Sequence, residues 1–264
     1  MDFFDNRLKI SERNFADKKL QEVAKNWHDV SREYGYQYMF EWMGRPIIQD
    51  PQDICAIQEL IWRVKPDLIV ETGIAHGGSL VLSAGILAAI GMGEHLAGLN
   101  IMPRKVVGVD IDIRKHNREA LENHPLSGMI RLIEGSSISR DIVKKVYQEA
   151  EGSERVLIML DSNHTAEHVY DELVNYAPLV NAGSAILVLD TGIEFVSPDS
   201  FNVQRPWGPG NSPLTAVNQF LTSPAGKDFE KDRSIEKRTL ITCAPEGLLV
   251  RMGRTQVPRH FLAS

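Results

Sequence analysis

The chain has 264 residues, of which 43% are hydrophobic and 24% charged, and this composition is typical of a globular protein rather than a disordered or fibrous one. Its formal charge of −6 and its scattered Lys and Arg residues argue against a nucleic-acid partner, which would require a basic surface. The two cysteines, Cys55 and Cys243, are too few for a disulfide framework or a cysteine-rich metal site. We interpret both as small buried side chains in a reducing compartment.

The sequence predicts a cytoplasmic protein with no membrane partner. Residues 1–5 are acidic and aromatic, and they lack the basic and apolar regions of a signal peptide. The longest apolar stretch, 79–92, is too short and too rich in Gly and Ala to cross a bilayer.

The N-terminal part of the chain shows two helical patterns with an irregular segment between them. Apolar residues recur at helical spacing over 18–34, and Gly35 follows as a stop signal. Residues 36–48 are aromatic-rich and irregular, and 53–64 resume a helical pattern that a proline closes. Because the first helix is amphipathic and carries Trp27 on its apolar side, we expect it to mediate a homo-oligomer.

From residue 66 onward, short apolar runs alternate with helical patterns. The apolar runs predict buried strands at 68–70, 106–109, 129–133, 156–160 and 185–189. The helical patterns between and after them lie at 79–90, 114–122, 139–151, 166–176 and 213–221. At the end, the apolar segments 239–243 and 248–252 flank a turn and predict an antiparallel hairpin.

This alternation predicts an α/β fold, with a doubly wound, mostly parallel seven-stranded sheet built from right-handed crossovers. We expect residues 1–65 to form an N-terminal helical extension and cap, and residues 66–264 to form one cofactor-binding globular unit. A parallel sheet that finishes in an antiparallel hairpin is typical of Rossmann-like class I methyltransferases, whereas NAD-binding domains add a further parallel strand.

A glycine-rich turn follows the first predicted strand, at residues 71–79. Ligands of open α/β sheets bind beyond the carboxyl ends of the strands, and the glycines allow a sharp turn and a close ligand approach. The spacing is Gly-x-x-x-Gly-Gly, not the Gly-x-Gly-x-x-Gly of dinucleotide-binding proteins. Glu71 places a negative charge there, which suits the cationic S-adenosylmethionine better than a pyrophosphate. A tight turn with no ligand is the alternative.

Polar residues also follow the second and third predicted strands. Asp110 can accept hydrogen bonds from both ribose hydroxyls of an adenosine, whichever cofactor carries it. Its alternative is a helix cap, a role that Asp112 fits better. Ser136 and Ser137 could lie near the adenine or cap the next helix.

Two carboxylates follow the fourth and fifth predicted strands. Asp161 and Asp190 should open into one crevice because those strands are expected to be neighbours, and two like charges there favour a cation between them. Mg²⁺ is the expected ion, since it prefers oxygen ligands; capping or solvent contact is the alternative. His164 could take a proton from a substrate hydroxyl near neutral pH, or lie on the surface. His76 is expected to contact cofactor or solvent.

From residue 36 to 252 the chain resembles the rhamnosyl O-methyltransferase and cephalosporin hydroxylase family of S-adenosylmethionine-dependent proteins. The segments that carry the resemblance are 65–73, 77–79, 109–112, 161–164 and 207–213, the last followed by 216–217 and 220–221. The resemblance implies that Glu71, Gly73 and Asp110 bind the cofactor and that Asp161 and Asp190 bind magnesium. The family often carries an acidic residue where this chain has Leu189, so the site would recruit Glu194 or Thr191, bind metal more weakly, or lose it.

We therefore expect a magnesium-assisted O-methyltransferase that acts on a hydroxyl of a small molecule, such as a sugar or natural-product ring. His164 and Asp161 are the expected catalytic residues, with His164 as the base. Residues 192–211 would form a lid, and Trp42 or Trp207 would wall the pocket, although Trp42 fits a packing role better. The residues expected to bind the cofactor are Glu71, Gly73, His76, Gly77, Ser79, Asp110, Ser136, Ser137 and Asp161. The alternatives are an NAD-dependent oxidoreductase and a cofactor-binding partner protein without catalysis.

Overall fold

The computed structural model describes residues 3–100, 102–196 and 205–253. The chain begins with two helices and a small hairpin ahead of the main sheet. These elements and the helix that follows are α1 (Phe3–Ala16), α2 (Lys18–Glu33), β1 (Phe40–Trp42), β2 (Arg45–Ile47) and α3 (Pro51–Val64). The helix α2 begins at the cap Asp17, whose side chain accepts a hydrogen bond from the Leu20 backbone. The sequence predicted α2 and α3 but missed α1 and the hairpin.

The rest of the chain alternates strands and helices as the sequence predicted. In chain order the elements are β3 (Leu68–Thr72), α4 (Gly78–Leu96), β4 (Lys105–Asp110), α5 (Lys115–Glu122), β5 (Ile130–Glu134), α6 (Arg140–Glu149), β6 (Val156–Leu160), α7 (Ala166–Tyr176), β7 (Ala185–Val188), α8 (Pro213–Thr222), β8 (Phe229–Lys231), α9 (Glu236–Thr239) and β9 (Leu248–Arg251).

Seven strands form one sheet in the order β5-β4-β3-β6-β7-β9-β8. The strands from β3 to β7 are parallel to one another, whereas β9 runs antiparallel to β7 and β8. The chain leaves β3 first toward β4 and β5 and later returns to β6 on its other side. This reversal puts a crevice at the carboxyl ends of β3, β4 and β6. The expected doubly wound fold is confirmed.

Apolar cores cover both faces of the sheet, because its parallel strands are buried on both sides. Within β3, Ile69 packs into the core with α3 and α4, while Leu68 and Val70 pack into the opposite core with α6, α7 and α8. The sequence showed this as uninterrupted apolar runs without a polar face.

The predicted C-terminal hairpin is wrong in its first strand. The strand that precedes β9 in the chain and pairs with it is β8, and the segment 240–247 has no strand structure. The Thr242 hydroxyl and the Cys243 backbone N–H both donate to the buried carboxylate of Asp53 in α3, at 2.5 and 2.8 Å. These bonds direct the segment toward α3 instead of a neighbouring strand.

Two further expectations need correction. The helix α4 extends to 19 residues, which makes it long and apolar enough to cross a membrane by length and composition. Its residues Leu80, Leu82 and Leu87 are fully buried against the sheet, as in the core helix of a soluble protein. Cys243 is buried as expected, but it lies outside any strand, and Cys55 is exposed on α3.

Candidate active site

A buried carboxylate lies under the turn between β3 and α4. Glu71 is 1% exposed, and the Ser79 hydroxyl donates a hydrogen bond to its Oε1 atom, while its Oε2 atom has no partner within the described residues. Burial raises the pKa of Glu71 to about 7, although the hydrogen bond from Ser79 opposes the rise. A buried carboxylate with an unpaired oxygen fits a cationic ligand such as a sulfonium cofactor.

The glycines of this turn are required by the protein's own packing. Gly73 and Gly77 have φ angles of +87° and +83°, which confirms the tight turn. A Cβ atom on Gly73 would lie 1.9 Å from the Asp161 carbonyl oxygen, and one on Gly78 would lie 2.3 Å from the Pro46 carbonyl oxygen. The close approach that the sequence assigned to a ligand is thus made by the loop after β6 and by the β1–β2 hairpin.

Asp110 ends β4 and closes the same turn from the neighbouring strand. Its Oδ2 atom accepts hydrogen bonds from the backbone N–H groups of Ile74 and Ala75, at 2.7 and 3.3 Å, and its side chain stays partly exposed. The suggestion that Asp112 caps α5 is wrong, because Arg114 occupies the cap position, and the Arg114 side chain makes no capping hydrogen bond within the described residues. Asp110 therefore orders the turn and still faces the crevice.

The two serines after β5 have different surroundings. Ser137 is buried, and its hydroxyl donates to Oε1 of the buried Glu172 at 2.5 Å. Ser136 is half-buried. Neither caps α6, whose cap position is Ser139.

His76, in the turn after β3, is also half-buried. Its carbonyl oxygen accepts two hydrogen bonds from the Arg45 guanidinium, at 3.0 and 2.6 Å.

Asp161, His164 and Asp190 come together at the ends of β6 and β7. Each offers one ligand atom, and these atoms all lie within 4.8 Å of one another; the His164 Nε2 atom is 3.3 Å from the Asp190 Oδ2 atom. The cluster forms because β6 and β7 are adjacent parallel strands. Burial raises the pKa of Asp161 well above its ordinary range, and the charge of Asp190 raises it further. This donor set fits a divalent cation, which would relieve the repulsion between the carboxylates.

The residues suggested as replacements for the acidic residue missing at Leu189 are engaged elsewhere, so that suggestion is wrong. The Leu189 side chain is 2% exposed and belongs to the core. The Thr191 hydroxyl is fully buried and donates to the Pro245 carbonyl oxygen at 2.6 Å. Glu194 instead accepts hydrogen bonds at the start of α8 from the Ser212 hydroxyl, the Thr215 hydroxyl and the Gly210 backbone.

Two residues of the first 65, Gln49 and Arg32, also reach the carboxylate cluster, and the sequence did not predict either of them. The Gln49 Nε2 atom donates to the Asp161 Oδ2 atom at 3.4 Å. The Arg32 Nη2 atom lies 3.9 Å from the Asp190 Oδ1 atom and 4.0 Å from the Asp50 Oδ2 atom. The polar pair at 49–50, ahead of α3, was the available signal for Gln49, but it resembles an ordinary helix start. No sequence pattern indicated that Arg32 belongs to a site.

Trp207 lies beside the cluster, and Trp42 does not. The ring centroids of His164 and Trp207 are 4.9 Å apart in an edge-to-face arrangement. Trp42 packs against the core near α4, in the packing role that the sequence favoured. Of the predicted lid at 192–211, residues 197–204 lie outside the described residues.

The chain is similar to one family of known proteins along most of its length. The model of the Rhamnosyl O-methyltransferase/CmcI family matches residues 34–252. The chain is 27% identical to the rhamnosyl O-methyltransferase of Mycobacterium leprae (strain TN) over 211 residues, which cover 80% of this chain and 82% of that protein. It is also 27% identical to the enzyme of the same name from Mycobacterium tuberculosis (strain ATCC 25618 / H37Rv), with 80% and 77% covered.

Solved structures share the fold. One titled "CmcI-N160 apo-structure" superposes with a TM-score of 0.53 at 17% identity, covering 82% of this chain and 77% of that chain. Another, titled "cmcI-D160 Mg-SAM", gives a TM-score of 0.51 at 15% identity, with 82% and 78% covered.

Proposed function

The chain belongs to the rhamnosyl O-methyltransferase/CmcI family, and from this premise we propose that it methylates a hydroxyl of a small molecule with S-adenosylmethionine and Mg²⁺. The observation that carries the proposal is the cluster of Asp161, His164 and Asp190 beside the turn that follows Glu71. The cluster lies at the carboxyl edge of the sheet, where cofactors of this architecture bind.

Bound S-adenosylmethionine would supply a sulfonium methyl group, and bound Mg²⁺ would supply the positive charge that favours an ionised hydroxyl. Glu71 and Asp110 would hold the cofactor, with the carboxylate of Glu71 facing its positive charge. Gly73, Gly77 and Ser79 form the turn on which it would rest. His76, Ser136, Ser137 and Asp161 remain proposed contacts, of which Ser137 is the weakest because Glu172 already engages its hydroxyl.

Asp161 and Asp190 would hold the metal, because Mg²⁺ prefers oxygen to nitrogen ligands. This choice leaves His164 free to take the proton from the acceptor hydroxyl. Its Nε2 atom faces Asp190 at 3.3 Å, so a proton on Nε2 would be held by that carboxylate. Nδ1 would then be the basic nitrogen, and the edge of Trp207 would limit the rotation of the ring.

The acceptor is proposed to be a sugar or a natural-product ring with two vicinal oxygens. The relatives named above are rhamnosyl O-methyltransferases, so a rhamnoside is the first acceptor to test. Two adjacent oxygens would place one hydroxyl beside His164 and the other beside the carboxylates.

The test is formation of S-adenosylhomocysteine with a panel of rhamnosides and other vicinal diols, with and without Mg²⁺. We expect turnover with at least one diol and its loss in EDTA, restored by added Mg²⁺ or Mn²⁺. Turnover that survives EDTA undiminished would refute the role of the metal. Calorimetry that shows binding of NAD but of neither S-adenosylmethionine nor S-adenosylhomocysteine would refute the cofactor assignment.

We also propose that the chain forms a homo-oligomer through α2. The support is the apolar side of this helix, where Val23, Trp27 and Val30 are 59%, 38% and 44% exposed. The cytoplasmic location and the division at residue 65 stay predictions.

A further inference from the structure

We propose that Arg32 is an internal counter-charge of the metal site, which competes with a divalent cation for Asp190 and lowers the metal affinity of this chain. The inference rests on the proposed function, since it concerns the metal site assigned there. Arg32 lies at the end of α2, outside the residues that the family model matches. It is thus a contribution of the N-terminal extension to a site built on the sheet.

The guanidinium of Arg32 lies between two carboxylates without a close hydrogen bond to either. Its Nη2 atom is 3.9 Å from the Asp190 Oδ1 atom and 4.0 Å from the Asp50 Oδ2 atom. Burial lowers the pKa of Arg32, but the charge of Asp190 raises it, and the net direction is upward. The cation is therefore held by charge rather than by a bidentate hydrogen bond, and it opposes the binding of a second cation at Asp190.

Both oxygens of Asp190 already face a partner. Oδ2 faces His164 at 3.3 Å and Oδ1 faces Arg32. A metal ion held between Asp161 and Asp190 would lie next to a guanidinium that carries a like charge. Even with the screening of bulk water, a divalent ion and a monovalent cation about 5 Å apart repel each other enough to weaken binding at least about tenfold.

Asp50 explains why Arg32 stays at this position. The Asp50 side chain is 1% exposed, and its carboxylate oxygens make no hydrogen bond within the described residues. His28 and Arg32 are the basic groups that face it, at 3.5 and 4.0 Å. A buried carboxylate needs such a partner, so Asp50 holds the guanidinium through the same Nη2 atom that faces Asp190.

The experiment measures Mn²⁺ binding to the full chain by the electron paramagnetic resonance signal of free Mn²⁺, without cofactor or acceptor. We expect Arg32→Gln to bind Mn²⁺ about tenfold more tightly than the wild type, and Arg32→Lys to stay within about twofold of it. Arg13→Gln changes the net charge equally from an exposed position on α1 and should leave the affinity unchanged.

The direction of the change in Mn²⁺ affinity distinguishes this role from a structural one. A residue that merely supports the site would weaken Mn²⁺ binding when removed, so equal or weaker binding by a folded Arg32→Gln variant overturns the proposal. If that variant fails to fold, Arg32→Gln combined with Asp50→Asn removes the buried pair together and should show the same tightening. If neither the wild type nor any variant binds Mn²⁺, the metal site of the proposed function fails, and this inference fails with it.

Discussion

Replacing Glu71 with Gln should stabilise the protein in the absence of cofactor, and increasingly so as the pH rises. The Glu71 carboxyl is buried, so burial raises its pKa from 4.5 to about 7, against a weaker opposing hydrogen bond from Ser79. A group whose pKa is higher in the folded than in the unfolded state stabilises the fold below the unfolded value, and this contribution is lost as the pH rises through the folded value.

The size of the effect follows from the two pKa values. Each pKa unit corresponds to about 1.4 kcal/mol, so the cost of ionising Glu71 grows from below 1 kcal/mol near pH 4.5 to about 3 kcal/mol above pH 7. Gln keeps an oxygen that can accept the Ser79 hydrogen bond, and it carries no charge. The free energy of unfolding of Glu71→Gln should therefore exceed that of the wild type by about 1 kcal/mol at pH 5 and about 3 kcal/mol at pH 8.

Urea unfolding of the cofactor-free protein, followed by circular dichroism between pH 5 and pH 8, measures this difference. Glu230→Gln is the matched control, because Glu230 lies at an exposed position of the edge strand β8, and its curve should follow that of the wild type. The reasoning is refuted if the gap between Glu71→Gln and the wild type is the same at both pH values. Glu71→Gln should also bind S-adenosylmethionine more weakly, since the cationic ligand loses its buried counter-charge.

Three further predictions test the base, the turn and the assembly. His164→Gln should lower turnover by about 10² to 10⁴ and leave cofactor binding unchanged, and retention of more than half the wild-type rate at pH 7 would contradict a role as base. Gly73→Ala should lower the free energy of unfolding by more than about 3 kcal/mol, because its methyl group would meet the Asp161 carbonyl. In Gly98→Ala the φ angle is also positive but the space is open, so chemical denaturation should show a loss of only about 1 kcal/mol. Light scattering at micromolar concentration should give an oligomeric mass, and a monomeric mass would rule out assembly through α2.

The sheet could be predicted because its signals are local. Each parallel strand is buried on both faces and so appears as an apolar run, and the polar residues that follow a run fall at one edge. Asp161 and Asp190 each follow such a run, and their positions at the ends of neighbouring strands predicted that they lie together. The prediction failed at β8, where Phe229–Lys231 is short and mostly polar, and at 240–247, where an apolar segment bonds to Asp53 across more than 180 positions of sequence.

The candidate site was only partly predictable, because the missing residues come from elements distant in the chain. Arg32 and Gln49 reach the carboxylates from helices and turns whose local patterns do not indicate a site. The sequence predicted a tight turn and a close approach at Gly73, but it did not predict which group makes that approach. The neighbour that excludes a side chain there is the loop at Asp161. Family membership, finally, decides against the NAD-dependent oxidoreductase and the non-catalytic partner that the residues alone had left open.

The contact between Gly73 and the loop at Asp161 joins the two segments proposed to bind cofactor and metal, so that a shift of one displaces the other. The Thr72 carbonyl accepts a hydrogen bond from the Asp161 backbone at 2.9 Å, and no side chain separates the two segments. A ligand that orders one segment therefore lowers the entropy cost of ordering the other. Two affinities that are linked change by the same factor, so we expect each ligand to tighten the other equally. We therefore expect S-adenosylmethionine and Mg²⁺ to bind this chain cooperatively.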